Sequence, residues 1–213
     1  MVTLEPEKPW GVVLFGAGAA GDPERYRPFL EGLRSSGLVV LAPHGERFDP
    51  RTVTDEQLIA RPASLIAALA QRAPDGLPVT AVGHSIGGWA ALCLVGAVPY
   101  SRDGHPLLVP RAPEVRRLVL LAPTTGWFQA PGALARVSTP IKVFVGDRDT
   151  VTPPETAGVL SDAPATVEIE LCRFAGHFDF MKTPPPDVTS DPRLDRAALL
   201  QHLATETAAF AAS

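Results

Sequence analysis

The chain has 213 residues, of which 46% are hydrophobic and 20% charged, and its formal net charge is -4. That length and composition suit one domain with a full core, expected over residues 1–213. The mild acidity, without a basic run or an aromatic-basic patch, argues against nucleic acid as a partner, and no apolar run is long enough to span a membrane.

Met1 to Pro9 lacks the charged start and apolar core of a signal peptide. The expectation is a cytoplasmic protein, or a secreted form already stripped of its leader. Gly11 to Phe15 is a continuous apolar run, the pattern of a strand buried on both faces. Gly16-Ala-Gly-Ala-Ala-Gly21 follows it and matches G-x-G-x-x-G, the dinucleotide-binding fingerprint. Two features count against that reading. Asp22-Pro23 looks like an N-cap and first helical residue after the glycines, not among them. The next strand, Leu38 to Leu41, ends in Ala42-Pro43-His44 where an acidic residue is wanted. The alternative is a Gly-rich loop whose backbone N–H groups face a site.

Pro23 to Ser35 reads as a helix with Tyr26, Phe29, Leu30 and Leu33 as its apolar stripe. Pro43 to Glu56 reads as a polar loop, and Arg61-Pro62 as the start of a second helix, with Leu65, Ile66, Leu69 and Ala70 on one face. Val79 to Gly83 is the next strand. Gly83-His84-Ser85-Ile86-Gly87 fits G-x-S-x-G, the nucleophile elbow, with a strand before it and an apolar helix (Ile86 to Val98) after it. To project its hydroxyl above a sheet, Ser85 must occupy a strained turn, and the glycines leave room where strand and helix crowd. Leu118 to Leu121, Ile141 to Val145 and Val167 to Leu171 are further strands, and Leu194 to Phe210 a closing amphipathic helix. Cys93 and Cys172 lie in apolar segments and read as small core residues.

Strands alternating with helices imply an α/β fold, a mostly parallel sheet of about six strands covered on both faces. Ligands of such sheets bind beyond the carboxyl ends of the strands. Ser85, Asp147, Asp149 and His177 all follow strand ends. A serine hydroxyl needs a base, and the base an orienting acid. His177, in a Gly-flanked loop after the last strand, suits the base. His84 adjoins the nucleophile too closely in sequence to reach it and reads as a packing or supporting residue. The acid is Asp149 or Asp147; Asp147 directly follows Gly146 and suits a turn cap, so Asp149 is preferred. The oxyanion of a tetrahedral intermediate needs backbone donors, expected from Ile86 and Ala17.

These three segments resemble the α/β-hydrolase superfamily: Gly83-His-Ser-Ile-Gly-Gly88, Gly146-Asp-Arg-Asp-Thr-Val-Thr-Pro153 and Ala175-Gly-His-Phe178 match its nucleophile, acid and histidine motifs in order. The resemblance implies a compact α/β-hydrolase fold with little or no cap, the superfamily's first two strands missing or reduced, and the acid at the second aspartate of the G-D-x-D turn, Asp149. Arg61-Pro62-Ala-Ser64 and the Gly-rich loop through Asp22 look most like the dienelactone-hydrolase-like and the chlorophyllase or acetylhydrolase-like esterases. True dienelactone hydrolases carry cysteine where this chain has Ser85, and the usual His-Gly after the first strand is Phe15-Gly16 here.

Phe15, Trp127, Phe128 and Phe178 lie on strand-end loops. Trp127 and Phe128 read either as walls of an apolar acyl pocket or as side chains buried against the closing helix. No His, Cys or carboxylate spacing suggests a metal, and the phosphate-binding G-x-x-x-x-G-K-[ST] pattern is absent, so no cofactor is expected. Three functions follow: a serine hydrolase of small-molecule carboxylic esters or thioesters using Ser85, Asp149 and His177; a non-catalytic ligand-binding protein on the same scaffold; or a dinucleotide-dependent oxidoreductase using residues 16–21.

Overall fold

The continuous apolar runs become the inner strands of one sheet. The computed structural model describes residues 1–213 and contains seven strands in the order β1-β3-β2-β4-β5-β6-β7. They are β1 (Val2–Leu4), β2 (Gly11–Gly16), β3 (Leu38–Ala42), β4 (Val79–His84), β5 (Val115–Leu121), β6 (Ile141–Gly146) and β7 (Val167–Cys172). β2 to β7 pair in parallel. β2, β3 and β4 are buried at every residue, as strands covered on both faces must be. β1 adds an antiparallel edge to β3. Ahead of β2 the chain thus contributes one strand of three residues.

Four helices cover the sheet: α1 (Arg27–Ser35), α2 (Asp55–Arg72), α3 (Ile86–Leu94) and α4 (Arg196–Ala212). α2 and α3 pack on one face, where Leu58, Leu65, Trp89 and Leu92 meet Val12, Leu14, Leu118 and Leu120. α1 and α4 close the other, where Phe29, Leu33, Leu200 and Leu203 meet Val13, Phe15, Val119 and Phe144. The alternation of neighbouring residues between two cores is the period-2 signature of strands read from both sides. Cys93 lies in one core and Cys172 in the other, both as free thiols. No helix is long and apolar enough to cross a membrane.

α2 begins earlier than Arg61-Pro62 suggests. Thr54 is its N-cap: its Oγ1 accepts the Gln57 N–H at 3.3 Å while Gln57 Oε1 accepts the Thr54 N–H at 3.1 Å. This reciprocal pair satisfies two end donors and starts the helix within the stretch read as loop. Pro62 then lies inside the helix, where its missing N–H forfeits one helical bond. Ala68, not Ala70, completes the buried face.

Chain order reverses direction across β2: the chain steps from β2 to β3 on one side and then to β4 on the other. The gap between the carboxyl ends of β2 and β4 is thus the topological switch point where open α/β sheets bind ligands. The Gly16–Gly21 loop and Ser85 flank it.

Candidate active site

Ser85 links β4 to α3 with φ 55° and ψ -119°, a conformation a non-glycine residue adopts only under constraint. Such backbone costs of order 1–3 kcal/mol, which the surroundings must offset. Here the Ser85 N–H donates to the Leu121 carbonyl at 2.9 Å, and its carbonyl accepts the N–H groups of Gly88 (2.9 Å) and Thr124 (3.1 Å). The flanking glycines are obligatory for contact rather than for φ. A Cβ on Gly83 would stand 2.1 Å from the Gly87 carbonyl oxygen, and one on Gly87 would stand 2.0 Å from that of Gly16.

The loops after β6 and β7 converge on this turn. His177 Nε2 lies 3.0 Å from Ser85 Oγ, and His177 Nδ1 lies 2.8 Å from Asp149 Oδ2. The acceptor-only carboxylate requires the proton on Nδ1, which leaves Nε2 free to accept from the serine. The Asp149 side chain is fully buried. Its Oδ1 accepts the N–H groups of Val151 and Thr152, both at 2.8 Å, and the Thr152 hydroxyl lies 2.9 Å from Oδ2. Burial pushes the Asp149 carboxyl up, but the hydrogen bond and charge of His177, with the Thr152 donors, hold it below the ordinary carboxylate value. Asp147 is not part of this arrangement: it sits beside Arg148, 3.8 Å from that guanidinium.

The loop carrying His177 is anchored on its own account. Asp179 Oδ2 accepts the Gly176 N–H at 2.8 Å, and Arg196 of α4 donates to Asp179 Oδ1 at 2.8 Å. Gly146 lets the acid loop touch it, since a Cβ there would meet the Ala175 carbonyl oxygen at 2.2 Å. The other histidines lie elsewhere. His84 is buried beside the turn, with both ring nitrogens engaged away from Ser85 Oγ. His44 lies nearest Asp22, His105 is exposed, and His202 pairs with Glu170.

On the opposite side of Ser85 lies the Gly-rich loop. Its Gly18 N–H donates to Tyr26 Oη at 3.2 Å and its Gly21 N–H to the Gly18 carbonyl at 2.9 Å. The N–H groups of Ala17 and Ile86 take no part in the turn and loop hydrogen bonds of this region. Both residues are buried next to the elbow, and Ala17 packs on the first turn of α3 through Gly87. The features of a dinucleotide fold are not built: Asp22 caps a 3₁₀ turn that starts at Pro23, beyond the glycines, and β3 runs out into Pro43 and His44.

The aromatic residues separate. Phe178 is half-buried and stands edge-on to His177, ring centroids 5.1 Å apart. Phe15 is fully buried against Tyr26 and Phe29 and so cannot line an open pocket. Phe128 is equally buried, stacked on Trp89 of α3 and not on the closing helix. Trp127 is half-buried on that same core. The cleft beside the serine, reached past Thr124 and Thr152, is lined by polar residue types whose exposed atoms are nonetheless mostly apolar. It has a volume of about 560 Å³ and is lined chiefly by Thr124, Thr125, Gln129, Thr152 and Glu155. Thr124 Oγ1 reaches to 3.4 Å from Ser85 Oγ. Thr124 and Thr152 escape a reading by motif, although Asp149-Thr-Val-Thr152 carries the side-chain-to-backbone turn signature that would have placed Thr152 by the acid.

The sequence matches the model of the alpha/beta hydrolase family over residues 12–212. No curated protein sequence matches it. Among solved structures it is similar to a thermophilic esterase from the planctomycete species Thermogutta terrifontis. The propionate-bound form is 19% identical with a TM-score of 0.64, the match covering 96% of this chain and 86% of that one. The same esterase phosphorylated by paraoxon is 18% identical with a TM-score of 0.65, over 96% and 86% of the two chains. At that identity the likeness is one of fold.

Proposed function

The chain belongs to the alpha/beta hydrolase family, and from that premise we propose that it hydrolyses carboxylic esters through a covalent acyl-enzyme formed on Ser85. The observation that carries this reading is the unbroken line from Ser85 Oγ to His177 Nε2 at 3.0 Å and from His177 Nδ1 to Asp149 Oδ2 at 2.8 Å, with the serine on a strained turn. His177 takes the hydroxyl proton as Oγ attacks the ester carbonyl, and Asp149 stabilises the imidazolium that forms. The carbonyl oxygen becomes an anion beside the Ile86 and Ala17 N–H groups, at the positive end of α3. His177 returns the proton to the departing alkoxide. Water, deprotonated by the same histidine, then attacks the acyl carbon; the acyl-serine bond breaks, His177 returns the proton to Ser85 Oγ, and the acid is freed.

The fold neighbours include a propionate-bound esterase, which supports small acyl groups as substrates. The threonine-lined cleft exposes mostly apolar atoms with a few hydroxyl, amide and carboxylate groups, and so supports a substituent of mixed character. Within the family, the motifs are closest to those of dienelactone-hydrolase-like and chlorophyllase or acetylhydrolase-like serine esterases, with Ser85 arguing against the dienelactone reaction itself. The test is turnover of a panel of p-nitrophenyl esters and thioesters by the protein and by Ser85→Ala and His177→Ala. The expected loss is at least roughly 10³-fold in kcat for each variant with the fold retained. Undiminished turnover in either would overturn the assignment.

A further inference from the structure

Two buried polar side chains beside the elbow have no part in the acyl transfer. Tyr26, on the 3₁₀ turn before α1, and His84, the last residue of β4, are 2% and 1% exposed. Tyr26 Oη accepts the Gly18 N–H at 3.2 Å and lies 2.8 Å from His84 Nδ1. His84 Nε2 lies 2.9 Å from the His177 carbonyl oxygen. The ends of this chain of contacts fix its direction. The carbonyl can only accept, so His84 carries its proton on Nε2. The bare Nδ1 accepts the tyrosine O–H, and the tyrosine oxygen accepts the Gly18 N–H. Burial, aided by the charge of His177, pushes His84 down to about 3, and burial pushes Tyr26 up to about 12. Both groups therefore stay neutral over the working range. The rings are held by aromatic neighbours, Phe15 at 4.8 Å from Tyr26 and Phe180 at 5.8 Å from His84.

What the relay joins is more informative than the relay itself. Gly18 follows Ala17, the second oxyanion donor, and a Cβ on Gly18 would lie 3.7 Å from the Cβ of Ser85. His177 carries the base. The two loops leave β2 and β7, which three other strands separate in the sheet; the one main-chain hydrogen bond between the segments after these strands, Lys182 N–H to the Arg25 carbonyl at 2.7 Å, lies beyond both Gly18 and His177. We propose that Tyr26 and His84 are positioning residues which tie the oxyanion loop to the loop carrying the base, so that donor and base keep a fixed spacing on either side of Ser85. The proposal rests on Ser85, His177 and Asp149 forming the catalytic unit. Freed from the relay, His177 and Ala17 would shift independently, and small misplacements of this kind are costly to the chemical step.

The test compares Tyr26→Phe, His84→Leu, the double variant and His84→Gln on one p-nitrophenyl ester, well below the melting temperature. Tyr26→Phe keeps the ring and removes only the hydroxyl. It should lower kcat roughly 10- to 100-fold with KM within about 2-fold. His84→Leu should do the same, and the double variant should be no worse than the poorer single, because both break one relay. Glutamine has both an N–H for the His177 carbonyl and an oxygen for the tyrosine, so His84→Gln should recover to within about 5-fold of the original. A packing role alone would lower the melting temperature, leave kcat intact below it, and overturn the proposal; so would multiplying losses in the double variant. Should His84→Leu fail to fold, Tyr26→Phe decides. Absence of Ser85-dependent turnover in the unmodified protein would overturn the underlying catalytic reading and the relay with it. Ser85-dependent turnover with unchanged kcat in Tyr26→Phe would overturn the relay alone.

Discussion

Asp149 and Asp147 stand two residues apart in one turn, and their surroundings decide which can serve a histidine. Asp149 is buried, its carboxylate met by four donors within 2.9 Å, whereas Asp147 lies at the partly exposed rim beside Arg148. With Asp149 as the acid, Asp149→Asn misorients His177 and lowers kcat by roughly 10³- to 10⁴-fold, while Asp147→Asn stays within about 3-fold. Ester turnover of the two purified variants settles it, and the reverse ranking would reassign the acid. At this scale the sequence is legible where a motif fixes both residue type and spacing, as for the meeting of Ser85, His177 and Asp149 at hydrogen-bond distance. It is opaque where a role depends on what lies across the fold. Tyr26 satisfies a helical apolar stripe, and nothing in that stripe reveals that its hydroxyl meets His84, 58 residues away. Phe15 and Phe128 end near the site in chain order but face the two cores, a matter of strand register and helix packing.

The elbow shows how an element can be specified by absent atoms. β4 and α3 meet so closely that the Gly87 position has no room for a methyl group: a Cβ there would stand 2.0 Å from the Gly16 carbonyl oxygen, which is backbone and cannot rotate aside. Gly87→Ala should therefore push α3 away from the β2 loop. The expected cost is about 2 kcal/mol or more, read as a lowered urea midpoint, with slower phosphonylation of Ser85 because Ile86 and Ala17 move apart. A variant of unchanged midpoint and reactivity would refute the close approach. The inner strands are readable because continuous apolar runs have few other homes. The start of α2 is obscured by Pro62, a residue that normally opens helices, although the Thr54-x-x-Gln57 capping pattern upstream carries the right signal.

Across the whole molecule, the neutral buried His84 couples folding to pH. Its native value is pushed down to about 3, below the ordinary value of 6.5 that the unfolded chain recovers. Below about pH 6.5 the unfolded state thus binds a proton that the native state refuses. This contribution is complete above that pH and is lost as pH falls toward 3, at up to ~1.4 kcal/mol per unit. Asp149, held low, acts in the same sense only further down, as pH falls through its own native value. Urea unfolding at about pH 7 and about pH 5 should show a loss of roughly 2 kcal/mol from this site, much reduced in His84→Gln. Equal losses in both proteins would mean that His84 is not buried neutral. Topology is the most legible property of all, since alternating strand and helix signals admit few arrangements, and the switch point beside β2 and β4 follows from strand order. Sheet, elbow and loops converge on Ser85, the residue that the proposed function makes the nucleophile. The most direct test is to treat the protein with a fluorophosphonate and map the adduct by mass spectrometry. A single adduct on Ser85 is expected, formed far more slowly in His177→Ala and abolished in Ser85→Ala; an unlabelled protein, or one labelled equally fast without His177, would contradict a nucleophilic Ser85.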